Sequence, residues 1–152
     1  GYIYNRTNSS ISGANATFTL DAEDANQYIQ YTGTGNYTFN TLNITQTGAS
    51  ATRTKTFESG CDIIINSGDF SISNSGGSAA ILLVVDLRDN GITGTPNDLN
   101  LGEYCELRTT SADFGVNVTD NFSGSKNLNV NSTVYYSLNG AQLIADCVNP
   151  AS

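Results

Sequence analysis

The stretch ANATFTLDA at residues 14–22 carries the pattern that decides the fold class. Its apolar residues recur at every second position, with Asn, Thr or Asp between them, which indicates a strand buried on one face. Nine further segments show the Val, Ile, Thr, Tyr and Phe enrichment typical of strands. They are 26–32, 35–46, 52–58, 61–73, 79–87, 103–110, 113–119, 127–137 and 140–148.

Turn-forming residues separate these segments, among them Asn-Ser-Gly-Gly at 74–77 and Asn-Gly at 90–91 and 139–140. Short strands at near-regular spacing predict an all-β domain, either a sandwich or a barrel. The sequence shows no linker and no clean repeat, and 152 residues suit one domain.

The charge balance and the missing residue types exclude several function classes. The chain has 6 basic and 14 acidic residues, a net charge of −8, and no His, Met or Trp. That balance argues against nucleic acid and against anionic lipid, since both need a basic surface. Because the sequence has no His, it excludes an HExxH zinc motif and the Ser-His-Asp and Cys-His arrangements of nucleophilic catalysis. A carboxylate pair for glycoside hydrolysis is arithmetically possible with 14 acids, some of them clustered at 21–24, but the sequence does not show that any two converge. We predict a protein that is not an enzyme and needs no cofactor.

Export is indicated by several features of the sequence. No apolar stretch approaches the roughly 20 residues of a membrane span. A chain that begins at Gly1 without Met fits removal of a secretory signal. Eight N-x-[S/T] sequons occur, against about four by chance. They are Asn5, Asn8, Asn15, Asn36, Asn43, Asn117, Asn121 and Asn131. We expect a secreted, glycosylated, extracellular protein, although a composition rich in Ser, Thr and Asn also generates sequons.

Two of the sequons constrain the strand that carries them. Asn36 and Asn43 lie seven residues apart, so a regular strand would point them to opposite faces. A glycan cannot be buried. We therefore predict either a bulge between them or only one occupied site.

The three cysteines, Cys61, Cys105 and Cys147, are each in phase with apolar neighbours and should point inward. Two interpretations remain: one disulfide that staples two strands, or three buried free thiols. We expect one disulfide among the three, with Cys105 and Cys147 as the pair to test. A zinc site does not fit, because His and CxxC motifs are absent.

Three further features have ordinary structural explanations. The segment 86–91, with Asp86 and Asp89, offers oxygen ligands for Ca²⁺, but an Asp-Asn-Gly turn accounts for the same residues. Lys55 and Lys126 could form isopeptide bonds, yet surface lysines are the default expectation. The eight tyrosines are expected to pack in the sheets, although exposed aromatics could form a sugar-binding platform.

The opening GYIYNRTNSSISGANATFTLDAED resembles the mature N-terminus of the TasA/camelysin-like fibre proteins, through Tyr2, Tyr4 and Thr19-Leu20-Asp21. The segment from 59 to 84 is similar to that family's turn, strand, Asn-x-Gly turn and strand pattern. Ser59-Gly60-Cys61-Asp62 stands where the family usually has a Pro-Gly-Asp turn. The matches cover about a third of the chain.

The resemblance implies a jelly-roll-like β-sandwich of short antiparallel strands, completed by a donor strand from a neighbouring subunit. Tyr2, Ile3 and Tyr4 would form that donor strand, residues 1–12 the strand and its connector, and 13–152 the sandwich domain. If Asn5 faces solvent, Ile3 does too, and the two tyrosines become the buried anchors.

The implied function is a structural subunit of a cell-surface pilus or biofilm-matrix fibre. An unpaired sheet edge accepts an added strand, and head-to-tail contacts propagate into an open filament. The sequon density favours the archaeal version of the family, whose pili bundle laterally and serve cell adhesion. For residues 1–12 the alternative is a disordered or self-paired terminus. For the whole chain the alternatives are a monomeric secreted carbohydrate-binding module and a virion surface protein.

Overall fold

The computed structural model describes residues 2–5, 11–21, 25–31, 36–48, 50–60, 62–111 and 117–136. A 3-10 turn at Thr119–Asn121 and thirteen strands lie in these ranges. The strands are β1 Tyr2–Asn5, β2 Ile11–Asp21, β3 Gln27–Tyr31, β4 Asn36–Thr47, β5 Arg53–Phe57, β6 Asp62–Ile65, β7 Phe70–Ser75, β8 Leu83–Asp86, β9 Ile92–Gly94, β10 Leu99–Leu101, β11 Cys105–Thr109, β12 Lys126–Leu128 and β13 Thr133–Tyr136.

Every pairing between these strands is parallel, so the described residues form a β-solenoid. The predicted all-β class is confirmed, and the predicted antiparallel jelly-roll sandwich is wrong. The physical reason is that alternation of apolar and polar residues shows only that one face of a strand is buried. Parallel and antiparallel strands alternate in the same way. Direction is set by the connections, which here carry the chain around a full coil before it pairs with itself.

Two sheets wrap the interior. The first sheet has the order β1-β3-β5-β8-β11-β13. The second has the order β12-β10-β7-β4-β6-β9, with β2 also paired to β4. The second sheet has two wings, because β4 pairs with β6 through its first half and with β7 through its second half. A complete coil therefore contributes one strand to the first sheet, one to the first wing (β6, β9) and one to the second wing (β7, β10, β12).

Strand β4 bends between its two halves, and the alternation of buried positions changes phase at the bend. Tyr37 and Phe39 are buried in the first wing, and Leu42 and Ile44 are buried in the second. The inward positions thus change from odd to even numbers across the corner. Asn43 is therefore an outward position in the second wing, and the occupancy of the two sequons stays a prediction.

The interior consists of columns of apolar side chains that repeat from coil to coil. One column of the second wing contains Leu20, Ile44, Ile72, Leu101 and Leu128. Its middle members are at most 1% exposed. Burying each such side chain contributes about 1.5–3 kcal/mol, so these columns hold the coils together.

The corner between the two wings depends on close backbone stacking. Gly68 N–H donates to the Asn40 carbonyl, and Asn97 N–H donates to the Gly68 carbonyl. A Cβ atom on Gly68 would lie 2.0 Å from Thr41 Oγ1 and 2.5 Å from the Asn40 carbonyl oxygen. Glycine is therefore required here by the approach of the neighbouring coil.

The coils differ in length, which explains why the sequence shows no clean repeat. Leu83 pairs with Arg53 on one side and with Cys105 on the other, at separations of 30 and 22 residues. Strand β2 spans residues 11 to 21 and so crosses the predicted domain boundary at residue 12.

Candidate functional site

The residues expected to form a donor strand lie in β1, at one end of the first sheet. β1 pairs with β3 of the same chain, with Tyr2 in register with Tyr28 and Ile3 with Ile29. Ile29 is 2% exposed, so the register places position 3 in an inward column. The anchor positions implied by the sequence, 2 and 4, are in register with Tyr28 and Gln30 of β3. Pairing of these residues with a neighbouring subunit stays a prediction.

The two ends of the solenoid carry strands that are paired on one side only within the described ranges. At one end β1 pairs with β3, and β2 pairs with β4. At the other end β13 pairs with β11, and β12 pairs with β10. Strand edges of this kind present backbone N–H and C=O groups in the direction of the solenoid axis. Within the described ranges, each end of the solenoid therefore presents a strand edge.

The C-terminal end also exposes apolar surface. Val130 is 77% exposed and Tyr135 is 50% exposed, which makes them the large apolar side chains most open to solvent in the described residues. The guanidinium of Arg108 lies 5.6 Å from the centre of the Tyr135 ring, close enough for a cation–π contact. Val134 and Tyr136 point to the other side of the strand and pack against the core.

The N-terminal end has an aromatic interior. Phe18 stacks on Phe39 with ring centres 5.0 Å apart, and Tyr37 lies 6.3 Å from the same ring. Leu20, Ile29 and Phe57 line the same apolar space. Phe18 is only half-buried although it faces inward. The two ends therefore both combine a strand edge with apolar side chains.

A ladder of polar side chains crosses the outer face of the second wing. Asn127 Nδ2 donates to Asn100 Oδ1 at 2.7 Å, and Asn100 Nδ2 donates to Ser71 Oγ at 3.2 Å. Asn43 and Thr19 continue the same column in register. The ladder gives this face neutral hydroxyl and amide groups at the coil spacing of about 4.8 Å.

Sequence reasoning missed this ladder, although a signal was present. Four triplets have a ladder residue, Asn or Ser, at their centre. They begin at Leu42, Phe70, Leu99 and Lys126. The central residues of the last three are 29 and 27 residues apart. Four similar triplets at near-constant separation are typical of stacked coils.

The sequons differ in their surroundings. Asn117 and Asn131 are exposed, and their amides donate to Ser111 Oγ and Glu103 Oε1 at 2.7 Å and 3.2 Å. Asn121 is half-buried and donates to the Ile92 carbonyl at 2.8 Å. Asn5, Asn15 and Asn36 lie in strands β1, β2 and β4, and Asn8 lies outside the described residues.

Cys105 is a buried free thiol at the start of β11. Its Sγ lies 3.6 Å from the Ile72 carbonyl oxygen, in the interior of the solenoid. Burial raises the pKa of this thiol to about 12, against a smaller opposing effect of the Gly102 backbone hydrogen bond. Cys61 and Cys147 lie outside the described residues. Because Cys105 is a free thiol, the pair of Cys105 and Cys147 is not formed in this structure, and a disulfide between Cys61 and Cys147 stays a prediction.

Lys55 is fully buried, which corrects the expectation of a surface lysine. It lies in the inward column of the first sheet, in register with Gln27 and Val85. Its Nζ donates to the Ala25 carbonyl at 3.1 Å. Burial lowers the pKa of this amine, the nearby Asp21 carboxylate opposes that effect, and Arg53 adds to it. Lys55 is thus a structural group, and its burial carries a cost in desolvation free energy.

The remaining candidates have local structural partners. Asp86 accepts from the Arg88 backbone N–H at 3.0 Å and forms an ion pair with the Arg88 guanidinium at 3.2 Å. Asp89 is exposed in the same turn. Lys126 donates to the Phe122 carbonyl at 3.0 Å. Within the ranges that the structure covers, no three His, Cys, Asp or Glu side chains come together as a metal site.

Two further observations bear on function. None of the helical segments in the described residues has the length and apolar character to cross a bilayer. Comparison of the chain with family models, curated proteins and solved structures finds no match.

Proposed function

We propose that this chain is a structural subunit of an extracellular pilus or matrix fibre, in which copies stack head to tail along the solenoid axis. The observation that carries the proposal is the first sheet, whose two end strands, β1 and β13, are the first and last of six strands and run in the same direction. A second copy placed on β13 through its own β1 continues that sheet without reversing it.

The two ends are unlike each other, and this property favours a filament. A contact between unlike surfaces is heterologous, so each added copy leaves a new free end and growth stays open. The apolar residues Phe18 at one end and Val130 at the other provide area to bury on association. The polar outer faces keep the sides of such a filament solvated.

This mode of assembly modifies the donor-strand interpretation. The added strand joins a sheet edge at the end of the solenoid, where backbone hydrogen bonds supply affinity and alternating side chains supply register. The resemblance to TasA/camelysin-like fibre proteins agrees with a polymerising subunit. Glycosylation, secretion and lateral bundling belong to the same proposal.

Electron microscopy and analytical ultracentrifugation of the purified chain test the assembly. At about 4.8 Å per coil, six strands of the first sheet predict an axial repeat of at least roughly 29 Å. Filaments with a shorter axial repeat would contradict end-to-end stacking, and a monodisperse monomer at all concentrations would refute the fibre.

Single prolines at Val134 and Tyr135 form a matched pair of variants. Adjacent residues of a parallel strand direct their N–H groups to opposite sides, so one proline removes a bond to β11 and the other removes a donor from the free edge. The proline that removes only the donor at the free edge should leave thermal stability nearly unchanged and should abolish filaments. If that variant assembles normally, β13 is not the growing edge.

A second function, a monomeric carbohydrate-binding module, is favoured by the polar ladder on the second wing. Its neutral amide and hydroxyl groups suit a polysaccharide without charge, and Asn100 is its central member. Pull-down on insoluble cellulose and chitin tests this function. Binding that is lost in Asn100→Leu, in a chain that stays monomeric, would favour the module over the fibre.

A further inference from the structure

We propose that the head-to-tail contact brings Tyr135 of one copy beside Tyr2 of the next, so that one register column of the first sheet continues across the junction. This inference rests on the proposed fibre and names the register of its contact. The partner is a second copy of this chain, because its β1 edge belongs to the same sheet and runs parallel to β13.

The first step is the continuity of the column within one copy. Five successive ladders place one residue of each strand in register, and every pairing is parallel. The column contains Tyr2, Tyr28, Thr56, Asp86, Arg108 and Tyr135. It therefore begins and ends with tyrosine positions at the two edges of the sheet.

The second step is the constraint from the inward column beside it. Tyr136 packs against the core, and position 3 lies in register with the buried Ile29. A junction that keeps inward positions facing inward can slip only by two residues, because a slip by one reverses every side chain. Tyr135 then meets position 2, or position 4 after one such slip, and both are tyrosines.

The third step is the accessibility of Tyr135. Half of its surface is exposed, and its ring is held against the Arg108 guanidinium of the preceding strand. The next strand would be added on the side of β13 that is opposite to β11, the strand that carries Arg108. An aromatic residue from a second copy can therefore pack there without displacing Arg108.

Photo-oxidative crosslinking of assembled filaments tests the register. A ruthenium photocatalyst with persulfate as the electron acceptor removes one electron from each phenol, each radical loses one proton, and two adjacent rings join through a carbon–carbon bond. Peptide mass spectrometry should link the peptide containing Tyr135 to the N-terminal peptide of another copy. Tyr135→Phe should still form filaments, since the ring remains, but should lose this linked peptide.

Tyr136→Phe is the matched control, because that ring faces inward beside the tested position and its change should leave the link intact. Filaments whose crosslinks join other tyrosines would overturn this register while leaving the fibre proposal standing. A chain that forms no filaments under any condition would overturn both. Isotope-mixed samples establish that the link joins two copies.

Discussion

Removing the buried amide of Asn90 should destabilise the solenoid more than changing an exposed asparagine does. Asn90 is 5% exposed and lies in the turn between β8 and β9. Its Nδ2 lies within hydrogen-bond distance of the carbonyl oxygens of Leu87, Glu58 and Phe57, at 2.7, 2.9 and 3.2 Å. Two of these acceptors belong to the preceding coil, so one side chain joins two levels of the solenoid.

The expected magnitude follows from the number of bonds. Asn90→Ala removes the donors and leaves buried carbonyls unpaired, which costs about 2–4 kcal/mol of unfolding free energy. Asn90→Asp keeps the shape but directs a carboxylate at the same three oxygens, so its loss at neutral pH should be larger. Because burial raises the pKa of such a carboxyl, the protonated form is favoured in the folded state and the deficit should shrink as the pH falls toward about 4.

Urea unfolding followed by far-UV circular dichroism measures these differences, over a series of pH values. Asn129→Asp is the matched control, because Asn129 is exposed and its change should stay within about 0.5 kcal/mol. The reasoning fails if Asn90→Asp is no more destabilising than this control. It also fails if the deficit of Asn90→Asp does not depend on pH.

Four further predictions concern other positions. The buried thiol of Cys105, with its pKa raised to about 12, should resist iodoacetamide at pH 8 in the folded chain and react after unfolding, as mass spectrometry will show. Because burial lowers the pKa of Lys55 below 10.5, the unfolding free energy should rise with pH between the folded value and 10.5, and Lys55→Met should remove that rise in a pH series of urea melts. Gly68→Ala should lower the melting temperature more than Gly48→Ala, since the first meets a neighbouring side chain at 2.0 Å while the second meets nothing within 4 Å and carries only the backbone cost of about 1–2 kcal/mol. Native material should have a mass above 16.0 kDa by several glycan units, with the exposed Asn131 occupied, and an unmodified mass would contradict this.

The positions of the longer strands could be predicted from the sequence, because alternation of apolar and polar residues is a local property. Predicted segments 26–32 and 52–58 correspond to Gln27–Tyr31 and Arg53–Phe57. The predicted segment 61–73 contains two strands, because Gly68 forms a corner within it. The three-residue strands β9 and β10 were not predictable from alternation, since their neighbours in adjacent coils hold them in place.

The parallel strand direction and the polar ladder were not predicted, because both depend on residues about one coil apart in the sequence. Coil length varies, and this variation hides the correspondence between such residues. The burial of Lys55, by contrast, follows from the alternation in its own strand. It lies two residues from Phe57 in one strand, and Phe57 is 1% exposed, so alternation places both side chains on the inner face. A lysine was expected at the surface because burial of an amine is costly, and the Ala25 carbonyl bond partly offsets that cost.

The parallel ladders give this molecule a direction of mechanical strength. Its interstrand hydrogen bonds point along the solenoid axis, while the covalent chain winds around that axis. Tension applied evenly between the first and last coils loads the backbone bonds of both sheets together, so two coils separate as a unit. Tension applied at the end of β13 alone would instead peel the chain away strand by strand. The same set of bonds is therefore strong under a load shared by a whole coil and weak under a load on one strand.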